Sequence, residues 1–246
     1  MVVTGASSGI GESVARQWGA LGHPVVLGAR RVDVCAAVAA EIGSQAHALA
    51  LDLSDPASVA EFCAACAERV GEIEVLVSNA GDVLPTRTVD TAPEVFAHQV
   101  AVNLLGAQQL IATLVPGMIE RRRGDVVVVS SDVVRAPRPN MSSYVSSKWG
   151  LDGLAQALQM ELEGSGVRCS VVRPGPTLTG MGMSWDPATV GSVINEWRRW
   201  GLIRHDGYLG PEDVAAAVLH VASVPPGVHL SVVEVQPEAP VRTEQR

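Results

Sequence analysis

The chain has little lysine, few aromatics and no long apolar run. Of its 18 basic residues only Lys148 is a lysine. Arginine and lysine differ in geometry and in how readily burial shifts their pKa, so one lysine among arginines points to a chemical use. Aromatic residues are 4% of the 246, with only two tyrosines, so the core must be aliphatic. No run of eighteen apolar residues occurs, which argues against a membrane span. The first residues lack a basic stretch followed by an apolar one, so no signal peptide is expected. Four cysteines, Cys35, Cys63, Cys66 and Cys169, make no disulfide framework for a chain this long, and a reducing cytoplasm is the expected compartment. The six histidines show no metal-ligand spacing, so no metal is expected. A net charge of -8 argues against a nucleic-acid partner.

What is present is an alternation. Short apolar runs at 2–3, 25–27, 48–51, 75–77, 126–129, 171–172 and 232–233 alternate with helical patterns at 12–21, 34–42, 57–70, 93–122, 143–162 and 211–222. This predicts an α/β fold: a Rossmann-type doubly wound parallel sheet of about seven strands, with helices on both faces, in one domain over 1–246. Two features depart from the pattern. The first strand is barely present, because a glycine loop begins at residue 4; either a few residues precede Met1 in the native product or the sheet has a short edge at its centre. The stretch 174–210 breaks the alternation and holds Trp185, Trp197 and Trp200. It reads as an insertion, a lid over the carboxyl ends of the strands, where such sheets bind ligands.

Thr4-Gly5-Ala6-Ser7-Ser8-Gly9-Ile10-Gly11 lies between the first strand and the first helix. Glycines there let the backbone approach a pyrophosphate, and the helix N-terminus offers free N–H groups and a positive dipole end. The second strand ends at Ala29, where NAD-binding relatives of this pattern carry an acid for the ribose 2′-hydroxyl; Arg30 and Arg31 follow. An arginine paired with a 2′-phosphate contributes roughly 1.5–3 kcal/mol, so NADP(H) is favoured over NAD(H). In the competing reading both arginines are solvated and Asp33 takes the ribose.

Tyr144 and Lys148 are four apart at the start of a helical pattern and share a face. With two tyrosines and one lysine, chance produces this spacing about 1% of the time. An ammonium about 4 Å from a phenol favours the phenolate by up to about 4 kcal/mol, so Lys148 is expected to lower the Tyr144 pKa into a useful range.

In its ordered motifs the chain resembles the compact, single-domain short-chain dehydrogenase/reductases over nearly its whole length. Those motifs are the glycine pattern at 4–11, Asn79-Ala80-Gly81 after the fourth strand, Asn103 in the following helix, Ser131 thirteen residues before Tyr144, Lys148, and Pro174-Gly175 with Thr177 and Thr179. Asp52-Leu53 matches the pair near the adenine. The resemblance implies hydride transfer between NADP(H) and a carbonyl or secondary alcohol. Tyr144 would exchange the proton on the substrate oxygen, Ser131 would orient that oxygen, and Lys148 would hold the nicotinamide ribose. Asn103 would help hold a water chain. It also implies a homo-oligomer, tetramer or dimer, built on the two long helices. The alternative is a non-catalytic NADP-binding sensor, which has no need of Asn103, Ser131, Tyr144 and Lys148 together. Candidate substrate contacts are Val133, Met141, Pro176, Met181, Met183 and Trp185, with Asp82, Val83 and Val134 as further walls. They suit a small to medium hydrophobic carbonyl or alcohol substrate. Arg135 and Arg138 read as surface loop charges, the alternative being that they attract an acidic substrate.

Overall fold

The computed structural model describes residues 1–181 and 185–241. Seven strands form one sheet: β1 (Val2–Thr4), β2 (Val25–Ala29), β3 (Ala46–Ala50), β4 (Val75–Ser78), β5 (Gly124–Val129), β6 (Val167–Pro174) and β7 (Val232–Val235). Their order is β3-β2-β1-β4-β5-β6-β7, and every pairing is parallel. Valine dominates because a parallel strand covered on both faces needs apolar residues at every position. Val126 and Val128 join the core on one face, Val127 and Val129 the core on the other.

The first core packs under α3 (Pro56–Val70), α5 (Gly106–Glu120) and α6 (Ser142–Glu161), with Phe62, Leu110, Met118 and Leu151 buried. The second packs under α1 (Gly9–Ala20), α2 (Val32–Ile42) and α8 (Pro211–Ala222), with Val14, Cys35, Val38 and Val218 buried. The four cysteines are free and buried, and Cys63 and Cys66 share the inner face of α3. Arg121 donates to Ile73 O and Arg123 pairs with Glu74, which accounts for two of the three arginines after α5.

The helical pattern at 93–122 is one helix by sequence and three pieces in space. α4 (Pro93–Val100) passes into a π-helical turn, Ala101–Leu105, and then into α5. Such turns insert a wide step into a helix and recur at functional sites; this one carries Asn103. The run 93–120 is long and apolar enough to cross a bilayer by length and composition, but Ala107, Leu110, Ile111, Val115 and Met118 fill the core between α3 and the sheet.

The sheet runs outward from β1 in one direction and from β4 in the other, so the crossovers reverse between these two strands. Ligands bind in such sheets at that point, beyond the carboxyl ends. The stretch 174–210 stands there. It contains α7 (Pro187–Arg199), and its ends are fastened together where Leu178 N and Leu209 N bond to Leu209 O and Pro176 O, both 2.9 Å.

Two helical glycines make opposite predictions. A Cβ on Gly106 would lie 2.5 Å from the Leu53 carbonyl oxygen, whereas one on Gly153 would meet nothing within 4 Å. Gly106→Ala should therefore destabilise by about 1–3 kcal/mol despite alanine's better helix propensity. Gly153→Ala should stabilise by about 0.5–1 kcal/mol. Chemical denaturation of both variants checks this, and equal effects of either sign would contradict it.

Candidate active site

A cavity of about 1090 Å³ opens over the carboxyl ends of the strands. Its floor is set by a joint between β1 and β4. The Thr4 hydroxyl accepts the backbone N–H groups of Asn79 and Ala80, both at 3.0 Å, and the Asn79 side chain donates to Thr4 O at 2.9 Å. Gly5 then turns the chain at φ +68°, and a Cβ there would stand 2.8 Å from Ala80 Cα. Only glycine meets both conditions.

The glycine-loop wall is Gly5, Ser7, Ser8, Gly9 and Ile10. Gly11 lies behind it: a Cβ there would meet Gly5 O and Asn79 Nδ2 at 2.6 Å, so its part is to let α1 pack tightly on the loop. Ser8 precedes α1, yet its side chain caps none of the helix's first N–H groups. Those donors and the positive end of the dipole remain for an anion. Arg30 and Arg31 line the same region, and Arg31 reaches the Ser7 and Ser8 hydroxyls at 3.1 and 3.2 Å. Asp33 is exposed in the first turn of α2, away from the cavity lining. Leu51, Asp52 and Leu53 close that end, and hydrogen bonds from Ser54, with Arg30 nearby, hold the Asp52 carboxyl below the usual range. The donors, the glycine cradle and the two cations suit a phosphorylated dinucleotide.

The opposite end holds Ser131, Tyr144 and Lys148. Ser131 follows β5 and caps a short 3-10 turn, Asp132–Val134, where its hydroxyl accepts Val133 N–H at 3.3 Å. Tyr144 and Lys148 lie on the inner face of α6, both buried. Lys148 Nζ donates to Val129 O at 2.9 Å and stands 5.8 Å from the Tyr144 ring centre. Burial pushes the Lys148 pKa down to about 8.

The expected lowering of the Tyr144 pKa is corrected by this geometry. Burial raises it above the ordinary phenol value, and the Ser131 hydroxyl pulls it back only in part. The ammonium stands over the ring and bonds to a backbone carbonyl, while the phenol has lost the water that stabilises a phenolate.

Asn103 is fully buried and does not line the cavity. Its Nδ2 donates to Asp82 O at 2.8 Å and Ser147 Oγ at 2.9 Å, and its Oδ1 accepts Asp82 N–H. The side chain ties the loop after β4 to α6, so the water-chain role expected of it does not lie with its amide hydrogens.

Asn79, Ala80 and Gly81 line the centre, and Pro174, Gly175, Pro176, Thr177 and Thr179 the far wall. Val133, Met141, Met181 and Trp185 also line the cavity, as do Asp82 and Val83; Val134 does not, and Met183 lies outside the described residues. Tyr144, Val83, Val133 and Met141 form one apolar cluster, against which Trp185 and Trp197 pack.

The sequence reading missed several lining residues. Trp197, Arg204, His205 and Tyr208 come from the 174–210 stretch, and Glu234, Gln236 and Pro237 from β7 and the tail. Arg138, read as a surface charge, is largely buried and lines the cavity. Its signal was there: an acid and an arginine six apart in a proline-containing loop of fewer than fifteen residues between Ser131 and Tyr144. Below the site, Arg173 grips Asp152 through Nε at 2.9 Å and Nη2 at 2.7 Å, joining the end of β6 to α6 one turn after Lys148.

The family model for short chain dehydrogenases matches residues 1–189. The chain is 33% identical over 240 residues to the glycine betaine reductase of Emericella nidulans, covering 96% of this chain and 18% of that one. It is 29% identical to an NADP-dependent 3-hydroxy acid dehydrogenase of Salmonella typhi, covering 96% and 94%. The first curated relatives it matches are longer proteins, of which it spans between 18% and 67%. Among solved structures, an alcohol dehydrogenase of Thermococcus sibiricus complexed with 5-hydroxy-NADP superposes with a TM-score of 0.81 at 31% identity, covering 100% and 98% of the two chains. The glycine loop, the buried Tyr144–Lys148 pair and these likenesses agree: the chain belongs to the short-chain dehydrogenase family of oxidoreductases.

Proposed function

We propose that the chain is an NADP(H)-dependent carbonyl reductase or secondary-alcohol dehydrogenase. The observation that carries this reading is the joint lining of one cavity by the glycine loop, Arg30 and Arg31 at one end and Ser131, Tyr144 and Lys148 at the other. When bound, the nicotinamide supplies or accepts the hydride. The α1 N-terminus and the glycine loop hold the pyrophosphate, and Arg30 and Arg31 favour a 2′-phosphate where an acid would repel it. Lys148, short of water and of anionic partners, is ready to bond ribose hydroxyls. Tyr144 gives its proton to a carbonyl oxygen or takes one from an alcohol, and the Ser131 hydroxyl orients that oxygen. The relatives named as an alcohol dehydrogenase and an NADP-dependent hydroxy acid dehydrogenase support this chemistry.

The substrate end is mainly apolar, with Val83, Val133, Met141, Trp185 and Trp197, and suits a small to medium hydrophobic carbonyl compound. The 174–210 stretch acts as a lid on it. Leu105, Trp149 and Met160 are large, apolar and exposed on the π-turn and α6, and support assembly of two or more copies through this face.

NADPH oxidation against a panel of aldehydes and ketones tests the reading. Turnover with NADPH should exceed that with NADH. Arg30→Ala together with Arg31→Ala should weaken NADPH binding by about 10- to 100-fold and leave NADH nearly unchanged. Tyr144→Phe should abolish turnover while cofactor still binds. Tight NADPH binding without turnover on any carbonyl would instead support the sensor reading.

Burial of Lys148 has a stability consequence. Its folded pKa, about 8, lies below the value near 10.4 of an unfolded chain, so the unfolded state holds the proton more firmly. The resulting cost is full below pH 8 and vanishes as pH rises towards the unfolded value. In the absence of cofactor, Lys148→Met should raise Tm at pH 7 by about 2 °C or more while abolishing turnover. The difference should narrow between pH 8 and 10. A lower Tm for the variant, with no pH dependence, would refute this.

A further inference from the structure

Between Ser131 and Tyr144 the chain places one acid and two arginines. Arg135 is 66% exposed at the cavity rim and pairs there with Glu234 at 2.9 Å. Arg138 is 11% exposed, and its Nη1 and Nη2 hold the two Asp132 oxygens at 2.8 and 2.6 Å. A buried ion pair is a poor way to stabilise a loop, because both charges must leave water; apolar side chains serve better. The pair therefore has to be read from what each half faces. Asp132 Oδ1 also accepts the Ser131 hydroxyl at 3.3 Å. The Arg138 guanidinium lies over the Trp197 ring at 5.2 Å, and Trp197 Nε1 donates to Pro139 O at 3.2 Å. Trp197 belongs to α7, so the guanidinium sits between Asp132 and that helix.

The Ser131 hydroxyl has one proton and two claimants for it: the Asp132 carboxylate and whatever oxygen lies beside Tyr144. An uncompensated carboxylate would retain the proton, and it would also oppose a phenolate on Tyr144.

We propose that Arg138 is a positioning residue: it engages both Asp132 oxygens, which weakens the carboxylate's hold on the Ser131 hydroxyl so that this hydroxyl and Tyr144 can turn to the substrate oxygen, and it seats α7 against the site through Trp197. This rests on the reading of Tyr144 as the proton-exchanging group. Asp132 makes a phenolate on Tyr144 harder to form and Arg138 makes it easier. The other charged or titratable groups at this end are Lys148, which bonds to Val129 O and stands 5.8 Å from the Tyr144 ring centre, Asp82 beside His98 at 3.6 Å, Glu234 between Arg135 and Arg173, and Arg204 and His205 on the 174–210 wall.

The chain has two tyrosines, so in a Tyr208→Phe background the ultraviolet phenolate signal reports Tyr144 alone, with or without turnover. Arg138→Met should move the Tyr144 titration midpoint up by about one unit, a tenfold loss of phenolate at a given pH. Asp132→Asn should move it down, and the double variant should return it close to the parent. Arg138→Lys, which keeps the charge, should stay near the parent and covers the case in which Arg138→Met fails to fold. In alcohol oxidation the double variant should recover kcat but keep a raised KM, because the stacking on Trp197 is gone. Midpoints that do not change sign between the single variants, or a double variant no better than Arg138→Met, would overturn the proposal. A midpoint series of the expected signs in a protein that turns over no alcohol or carbonyl would leave the charge balance standing and reject the enzymatic reading instead.

Discussion

The joint between Thr4 and the Asn79–Ala80 backbone is the constraint on which the rest depends. β1 lies inside the seven-stranded sheet, between β2 and β4. Its end is tied to the chain after β4 by the Thr4 hydroxyl and carbonyl. That bond set brings the ends of β1 and β4 close enough that Gly5 lies against Ala80 and Gly11 against Gly5 and Asn79. The direction of α1, and with it the direction of its free N–H groups, follows from this contact. The direction of these donors is thus fixed by backbone proximity rather than by any side chain at the mouth of the cavity.

Burial then acts on the Tyr144–Lys148 end of the cavity with two consequences. It lowers the pKa of Lys148 and raises that of Tyr144, so it moves both groups towards their neutral forms. The same dry surroundings strengthen any hydrogen bond or charge brought into the cavity, because little water competes. A site built this way is costly at rest and responsive when filled. Few residues suit the lysine position. Arginine keeps its charge under burial and would bring a wide fork into a narrow space. This accounts for one lysine surviving in a chain that uses arginine at every other basic position.

Much of this was legible in the sequence, for local reasons. The strand and helix alternation, the glycine loop and the Tyr144–Lys148 spacing are periodicities, and periodicity is what a sequence displays directly. The sheet and its helices on both faces were expected and are present. One cavity is lined by Ser131, Tyr144 and Lys148, the residues that the family resemblance singled out. What was not legible depended on contacts between distant segments. The π-helical turn at 101–105 keeps the hydrophobic pattern of an ordinary helix, so nothing in that pattern separates it from the rest of 93–122. The direction of the Tyr144 pKa depends on how deeply α6 is buried, and spacing along one helix carries no information about that. Arg138 looks like any loop arginine until α7, some fifty residues later, folds Trp197 over it.

The placement of α7 shows why the substrate end resists a sequence reading more than the cofactor end does. The cofactor end consists of strand termini and the loops that leave them, and the sheet fixes these directly. The substrate end is assembled from the 131–141 loop, the 174–210 stretch and the residues after β7, none of which pairs extensively with the sheet. Its shape depends on a few specific contacts: Trp197 with Pro139 and Arg138, the backbone bridge between Thr177 and Leu209, and Gln236 against Gly175. A change at any of these can reshape the substrate pocket without disturbing the glycine loop or the Tyr144–Lys148 pair. One scaffold can therefore carry differently shaped ends opposite the glycine loop, since this end is made of loops that the sheet holds mainly at their roots.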